Sequence, residues 1–210
     1  MQRSAMLNTI KRQMAYQKVR PMNQPACDVF INHRGIDTKK SIASLLYHQL
    51  VSSRIPSFLD NKNMKPGDKL FPHIDSAILG CKIGVAVFSP RYCQSYFCLH
   101  ELALMMETGK KVIPIFCDVK PSELRVSDNK ICSHSEIKRF SYAIEEAKDT
   151  VGLAFNTTKG NWPDVVMYAT DLVKKSLIEI ENEKHAARHA QKHAARHAQK
   201  HAARHAQILY

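Results

Sequence analysis

Apolar residues in this chain gather in short continuous runs, and the stretches between the runs carry apolar positions at helical spacing. Ala26–Asn32 is one such run, with Val29, Phe30 and Ile31 at its centre. It predicts a first strand buried on both faces, because such a strand loses the polar alternation of a half-exposed one. Ile55–Leu59, Lys82–Phe88 and Val112–Val119 predict further strands, and Val151–Phe155 predicts a fifth at the sheet edge. Ile42, Leu45, Leu46 and Leu50 mark a helix over Lys39–Ser53, with Asp37 or Thr38 as its cap. Ile74, Ala77 and Ile78 mark a shorter helix over Phe71–Gly80. Ser89-Pro90 breaks the run before it, and Ser95 then caps a helix carrying Phe97, Cys98, Leu102, Met105 and Met106. Gly109 closes that helix. Ser135–Lys148 repeats the helical spacing through Phe140, Ala143, Ile144 and Ala147, and Pro163 suits the first turn of a helix reaching about Asn182.

Strands alternating with helices predict an α/β fold: a parallel sheet covered on both faces. Right-handed crossovers make it flavodoxin-like and doubly wound, with about five parallel strands. The ligand crevice of such a sheet lies outside the carboxyl ends of its strands. His33-Arg34-Gly35, the polar loop Asp60–Leu70 and Phe97–Glu101 therefore share one rim. Glu101 follows Phe97 by four residues and Cys98 by three, which sets it beside both on one helix face. A glutamate there is either a surface charge or a buried group with a task, and residue type alone favours the surface.

Composition bounds the rest. The chain has 210 residues, of which 44% are hydrophobic, enough for one domain with extensions. No apolar run approaches the roughly 18 residues that span a bilayer, so no membrane partner is expected. Six cysteines, at positions 27, 81, 93, 98, 117 and 132, lack metal-ligand spacing. They read as reduced thiols in a cytoplasmic protein, with import to nucleus or organelle left open, and no metal is expected.

Both ends are basic. Residues 1–25 hold Arg3, Lys11, Arg12, Lys18 and Arg20 without an acid, either a disordered arm or a transit peptide. A domain over residues 26–182 and a tail over 183–210 follow. Lys184–Gln207 is three copies of KHAARHAQ, supplying six Lys/Arg of a formal net charge of +12 and six of 11 histidines. The tail reads first as a solvated helix or coil, then as a weak, non-specific polyanion contact, then as a His-rich metal trap.

Four stretches add a family resemblance: CDVFINHRGIDT, DNKNMKPGDKLFPHIDSAI, VFSPRYCQSYFCLHEL and VIPIFCDVKPSELR, in that order. They resemble the successive boxes of a plant-type TIR domain, over about Ala26 to Leu177. The resemblance implies cleavage of NAD, as substrate and not cofactor, with Glu101 as the catalytic acid. It implies places near the substrate for Arg34, Gly35, Phe97 and Cys98. Phe97 stands where the family usually has tryptophan, and Cys98 matches the family's cysteine. Arg34 reads equally as a structural bridge to Asp37 or another loop acid, and Cys98 as a small buried thiol.

Asp60–Leu70 resembles the family's mobile BB loop, where Lys65 presents charge to phosphate or to a neighbour. The resemblance implies homo-oligomers and contacts with other TIR proteins. No P-loop, nucleotide-binding or leucine-rich segment is present, so a TIR-only protein is expected, acting in immune or cell-death signalling. A non-enzymatic TIR adaptor is the competing expectation.

Overall fold

A computed structural model describes residues 27–64, 70–127 and 132–208. The arm over residues 1–25 and Lys65 lie outside these. Five parallel strands form one sheet: β1 (Val29–His33), β2 (Ser57–Phe58), β3 (Ile83–Phe88), β4 (Lys111–Cys117) and β5 (Leu153–Phe155). Their order is β2-β1-β3-β4-β5, the doubly wound order expected. Val29 pairs with Ser57 on one side and with Ile83 on the other, and Ile83 pairs with Lys111. Every residue of β1 and β3 is buried, which explains their unbroken apolar sequence.

The helices are α1 (Gly35–Thr38), α2 (Ile42–Ser52), α3 (Asp60–Asn63), α4 (Leu70–Gly80), α5 (Tyr96–Glu107), α6 (His134–Lys148) and α7 (Trp162–Ile208). Four differ from the sequence expectation. The segment after β1, expected as a loop, makes the helical turn α1. Thr38 Oγ1 donates to Arg34 O at 3.1 Å, and Asp37 turns to Ser89 and Arg91, so neither caps α2, which starts after Ser41. The segment after β2 opens as a helical turn, α3, whose Asn63 Oδ1 accepts from Leu59 N at 2.8 Å. Helix α7 runs past Asn182, because the alanine-rich octads contain no residue that breaks a helix.

Edge strand β2 is only two residues long. Pro56 before it has no N–H to give to the ladder, and its carbonyl instead accepts from Asp28 N and Val29 N. The chain divides into two compact units, one ending at Val173 and the other starting at Lys174. The core of the first holds Phe30, Phe88, Tyr92, Leu102 and Phe140, all fully buried.

Candidate active site

Helix α5 carries the candidate acid, and three local features fix it against the sheet. Ser95 Oγ accepts from Cys98 N at 3.3 Å and caps the amino end. Gly109, at φ 65°, adopts the left-handed conformation that ends the helix after Thr108. On the sheet side Gly84 leaves room for Met105, since a Cβ at Gly84 would collide with the Met105 sulfur. The outer side is braced by a charged chain. Arg139 Nε and Nη2 donate to Glu107 at 2.6 and 3.0 Å, and its Nη1 lies 3.3 Å from His100 Nδ1. An arginine only donates, so His100 Nδ1 accepts and its Nε2–H donates to Asp75 Oδ1 at 3.0 Å. That links α4, α5 and α6 beside the site.

Glu101 is 9% exposed, against the surface position that residue type favours. Burial pushes its carboxyl up to about 8. The bond from Asn32 pulls it down, while the charges of Asp60 and Asp75 push it further up. Asn32 Nδ2 donates to Glu101 Oε2 at 2.7 Å and to Cys98 O at 3.2 Å. Glu101 Oε1 has no hydrogen-bond partner among the described residues, yet it is not among their sealed atoms.

Those sealed, unpartnered atoms are two, on consecutive residues at the end of β1: His33 Nε2 and Arg34 Nε. His33 Nε2 lies 3.5 Å from Asp60 Oδ1, within ion-pair reach but without a hydrogen bond. Arg34 does not bridge to Asp37. That carboxylate accepts from Arg91 Nε at 2.6 Å and Ser89 Oγ at 2.7 Å. Gly35 opens α1, and a Cβ there would have only His33 Cε1, at 4.0 Å, near it.

Cys98 is buried, and its Sγ donates to His33 O at 3.3 Å. Burial, and then the charge of Glu101, push its thiol up to about 12. It is held as a neutral thiol, not as a nucleophile. Phe97 is 40% exposed, and its ring stacks on Phe71 with centroids 5.1 Å apart.

Arg34 and Gly35 directly follow β1, while Phe97 and Cys98 lie in the first turn of α5, one turn before Glu101; hydrogen bonds join Glu101 and Cys98 O to Asn32, and Cys98 Sγ to His33 O. Asn32, Tyr92 and Phe71 were not expected at the site. Asn32 had a signal, a polar amide ending the apolar run Val29–Ile31. Tyr92 and Phe71 had none, because each reaches the site through tertiary packing.

Residues 26–162 match the TIR domain family. A probable 2' cyclic ADP-D-ribose synthase, BdTIR of Brachypodium distachyon, is 44% identical over 158 residues, 73% of this chain and 70% of that protein. The TMV resistance protein N of Nicotiana glutinosa is 31% identical over 169 residues, 73% of this chain but 15% of that protein. The chain thus spans only a small part of such resistance proteins. Among solved structures, the TIR domains of the activated Roq1 resistosome that recognizes the pathogen effector XopQ superpose with a TM-score of 0.62. They are 27% identical, over 70% of this chain and 99% of that one.

Proposed function

Because the chain belongs to the TIR domain family, we propose that it cleaves the nicotinamide–ribose bond of NAD in plant immune or cell-death signalling. The observation that carries this is Glu101: a buried carboxyl on the carboxyl-end rim, with one oxygen tied to Asn32 and the other without a hydrogen-bond partner among the described residues.

Nicotinamide leaves as a neutral ring, so the leaving group needs no proton. The barrier is the positive charge that develops on the ribose, and a fixed anion beside it lowers that barrier. Glu101 supplies the anion when ionised. The cationic ring of bound NAD favours that ionised form, offsetting the burial that opposes it. Arg34, whose Nε has no hydrogen-bond partner among the described residues, contributes the cation that suits the diphosphate. Phe97 offers an exposed aromatic face to a substrate ring.

Cyclic ADP-ribose is the product class, by similarity to BdTIR, with linear ADP-ribose as the hydrolytic alternative. The active form is an assembly of copies, consistent with the resistosome to which the fold is similar. Among the described residues no helix is long and apolar enough to cross a membrane. A reducing, cytoplasmic setting fits the six free cysteines. The test is incubation of concentrated protein with NAD while nicotinamide is followed. Release supports the enzyme, and its absence at every concentration favours the adaptor.

A further inference from the structure

The polar residues behind Glu101 are not a random set of buried amides and hydroxyls. Asn32 is fully buried at the end of β1, and Tyr92 is fully buried in the 3-10 turn Tyr92–Gln94 that precedes α5. The two N–H groups of the Asn32 amide are both committed, one to Glu101 Oε2 at 2.7 Å and one to Cys98 O at 3.2 Å. Its oxygen accepts from the Tyr92 hydroxyl. With Glu101 ionised, the reversed amide would set its oxygen against a carboxylate and a carbonyl, two acceptors, and lose both bonds. Three neighbours thus dictate one orientation.

The grip on α5 is double. Cys98 O belongs to the helix backbone one turn before Glu101, so a single side chain on β1 holds both the helix and the acid it carries. The second link, from Cys98 Sγ to His33 O at 3.3 Å, joins the same two elements. A buried Glu side chain otherwise has several rotamers and two equivalent oxygens. With Oε2 engaged from behind, Oε1 is the oxygen left to meet a ligand.

We propose that Asn32, clamped by Tyr92, is the positioning residue of Glu101: it selects which carboxylate oxygen faces the rim and holds the first turn of α5 in register with β1. The proposal rests on the NAD-cleaving reading for its functional meaning, but its physical content does not. Asn32 donates to the carboxylate more strongly than to the neutral acid, so it also favours the ionised form. Removing it moves the carboxyl above about 8, and each further tenfold shift in that equilibrium lowers the ionised fraction near neutral pH by close to tenfold.

The experiment uses the full chain with Asn32→Ala and Tyr92→Phe. Nicotinamide release is followed from pH 6 to pH 10, with folding checked by circular dichroism. Asn32→Ala is expected to lose roughly tenfold or more in kcat at pH 7.5, with KM changed less than about threefold. Its acid limb moves to higher pH, and a deficit persists on the alkaline plateau because the carboxylate is no longer oriented. Tyr92→Phe moves the limb in the same direction by less.

A folded Asn32→Ala protein with the wild-type acid limb and kcat overturns the proposal. So does a uniform loss of melting temperature with an unmoved limb, which marks a merely structural role. A second readout separates this from the enzyme reading. The 13C-carboxyl signal of Glu101, identified by its absence in Glu101→Gln, should titrate at higher pH in Asn32→Ala and, if that variant does not fold, in Tyr92→Phe. An unchanged midpoint contradicts the proposal whether or not the wild-type protein cleaves NAD. A shifted midpoint in an inactive wild type keeps the positioning role and removes the enzyme.

Discussion

The ring of Phe71, in the first turn of α4, lies against that of Phe97, with centroids 5.1 Å and planes 28° apart. Both rings remain about two-fifths exposed, at 39% and 40%. Tyr96 and His100 meet Phe71 edge-on at 6.3 and 5.5 Å, which leaves the pair supported from behind. An aromatic pair of this kind is a ready platform for a nicotinamide or adenine ring.

Phe97→Ala is therefore expected to raise KM for NAD about three- to tenfold, the range that one lost aromatic contact commands. Phe71→Ala should act in the same direction and more weakly, since it removes the support and not the face. Steady-state nicotinamide release gives both constants. An unchanged KM in Phe97→Ala removes the ring from the binding site.

The elevated Glu101 carboxyl makes a paired prediction in pH. With ionised Glu101 as the working form, kcat/KM for NAD should rise with pH and level off above about 8. Stability should move the other way. The folded-state value lies above the ordinary 4.5, so the native state keeps a proton that the unfolded chain has released. The contribution is full below 4.5 and is lost as pH rises through about 8. Urea unfolding of the wild type should lose about 3 kcal/mol more than Glu101→Gln between pH 6 and pH 9. Equal losses would show that Glu101 is not buried in solution.

Concentration supplies a test of assembly. If copies complete one another's sites, specific activity rises with protein concentration through the micromolar range and tracks the oligomer seen by light scattering. Constant specific activity in a monomeric sample contradicts the assembled form.

The repeat tail makes its own prediction. Truncation after Glu183 should leave the melting temperature of the first unit unchanged, because the three octads offer no large apolar residue to bury. Affinity for duplex DNA should fall, and the slope of its salt dependence should flatten by up to about 5, since six cationic side chains go. A drop in melting temperature of several degrees would show that the tail packs on the domain.

The sheet order was legible because β1, β3 and β4 are built on continuous apolar runs separated by helical spacing, a pattern set by burial on both faces. Ser95 and Gly109 announced the ends of α5 for the same local reason: each satisfies backbone groups that a helix end leaves open. The rim grouping of Arg34, Phe97 and Glu101 came from topology.

Other features were set by distant partners. Asp37 reads as a helix cap until Arg91, 54 residues on, takes its carboxylate. Residue type put Glu101 on the surface, because no local signal shows an amide from β1 waiting to receive it. Phe71 reads as an ordinary residue of α4, and only the packing of α4 on α5 brings it to Phe97. The α3 turn arose where polarity alone predicted a loop.

Whether Glu101 carries NAD cleavage is decided by nicotinamide release from NAD by wild type, Glu101→Ala and Glu101→Gln. Circular dichroism on the same samples establishes that all three are folded. Glu101→Ala should lose at least about a hundredfold in kcat/KM, roughly 3 kcal/mol of transition-state stabilisation. Glu101→Gln should be nearly as inactive, because it keeps the size of the side chain and loses the charge. A folded Glu101→Ala protein that releases nicotinamide at the wild-type rate would contradict the assignment.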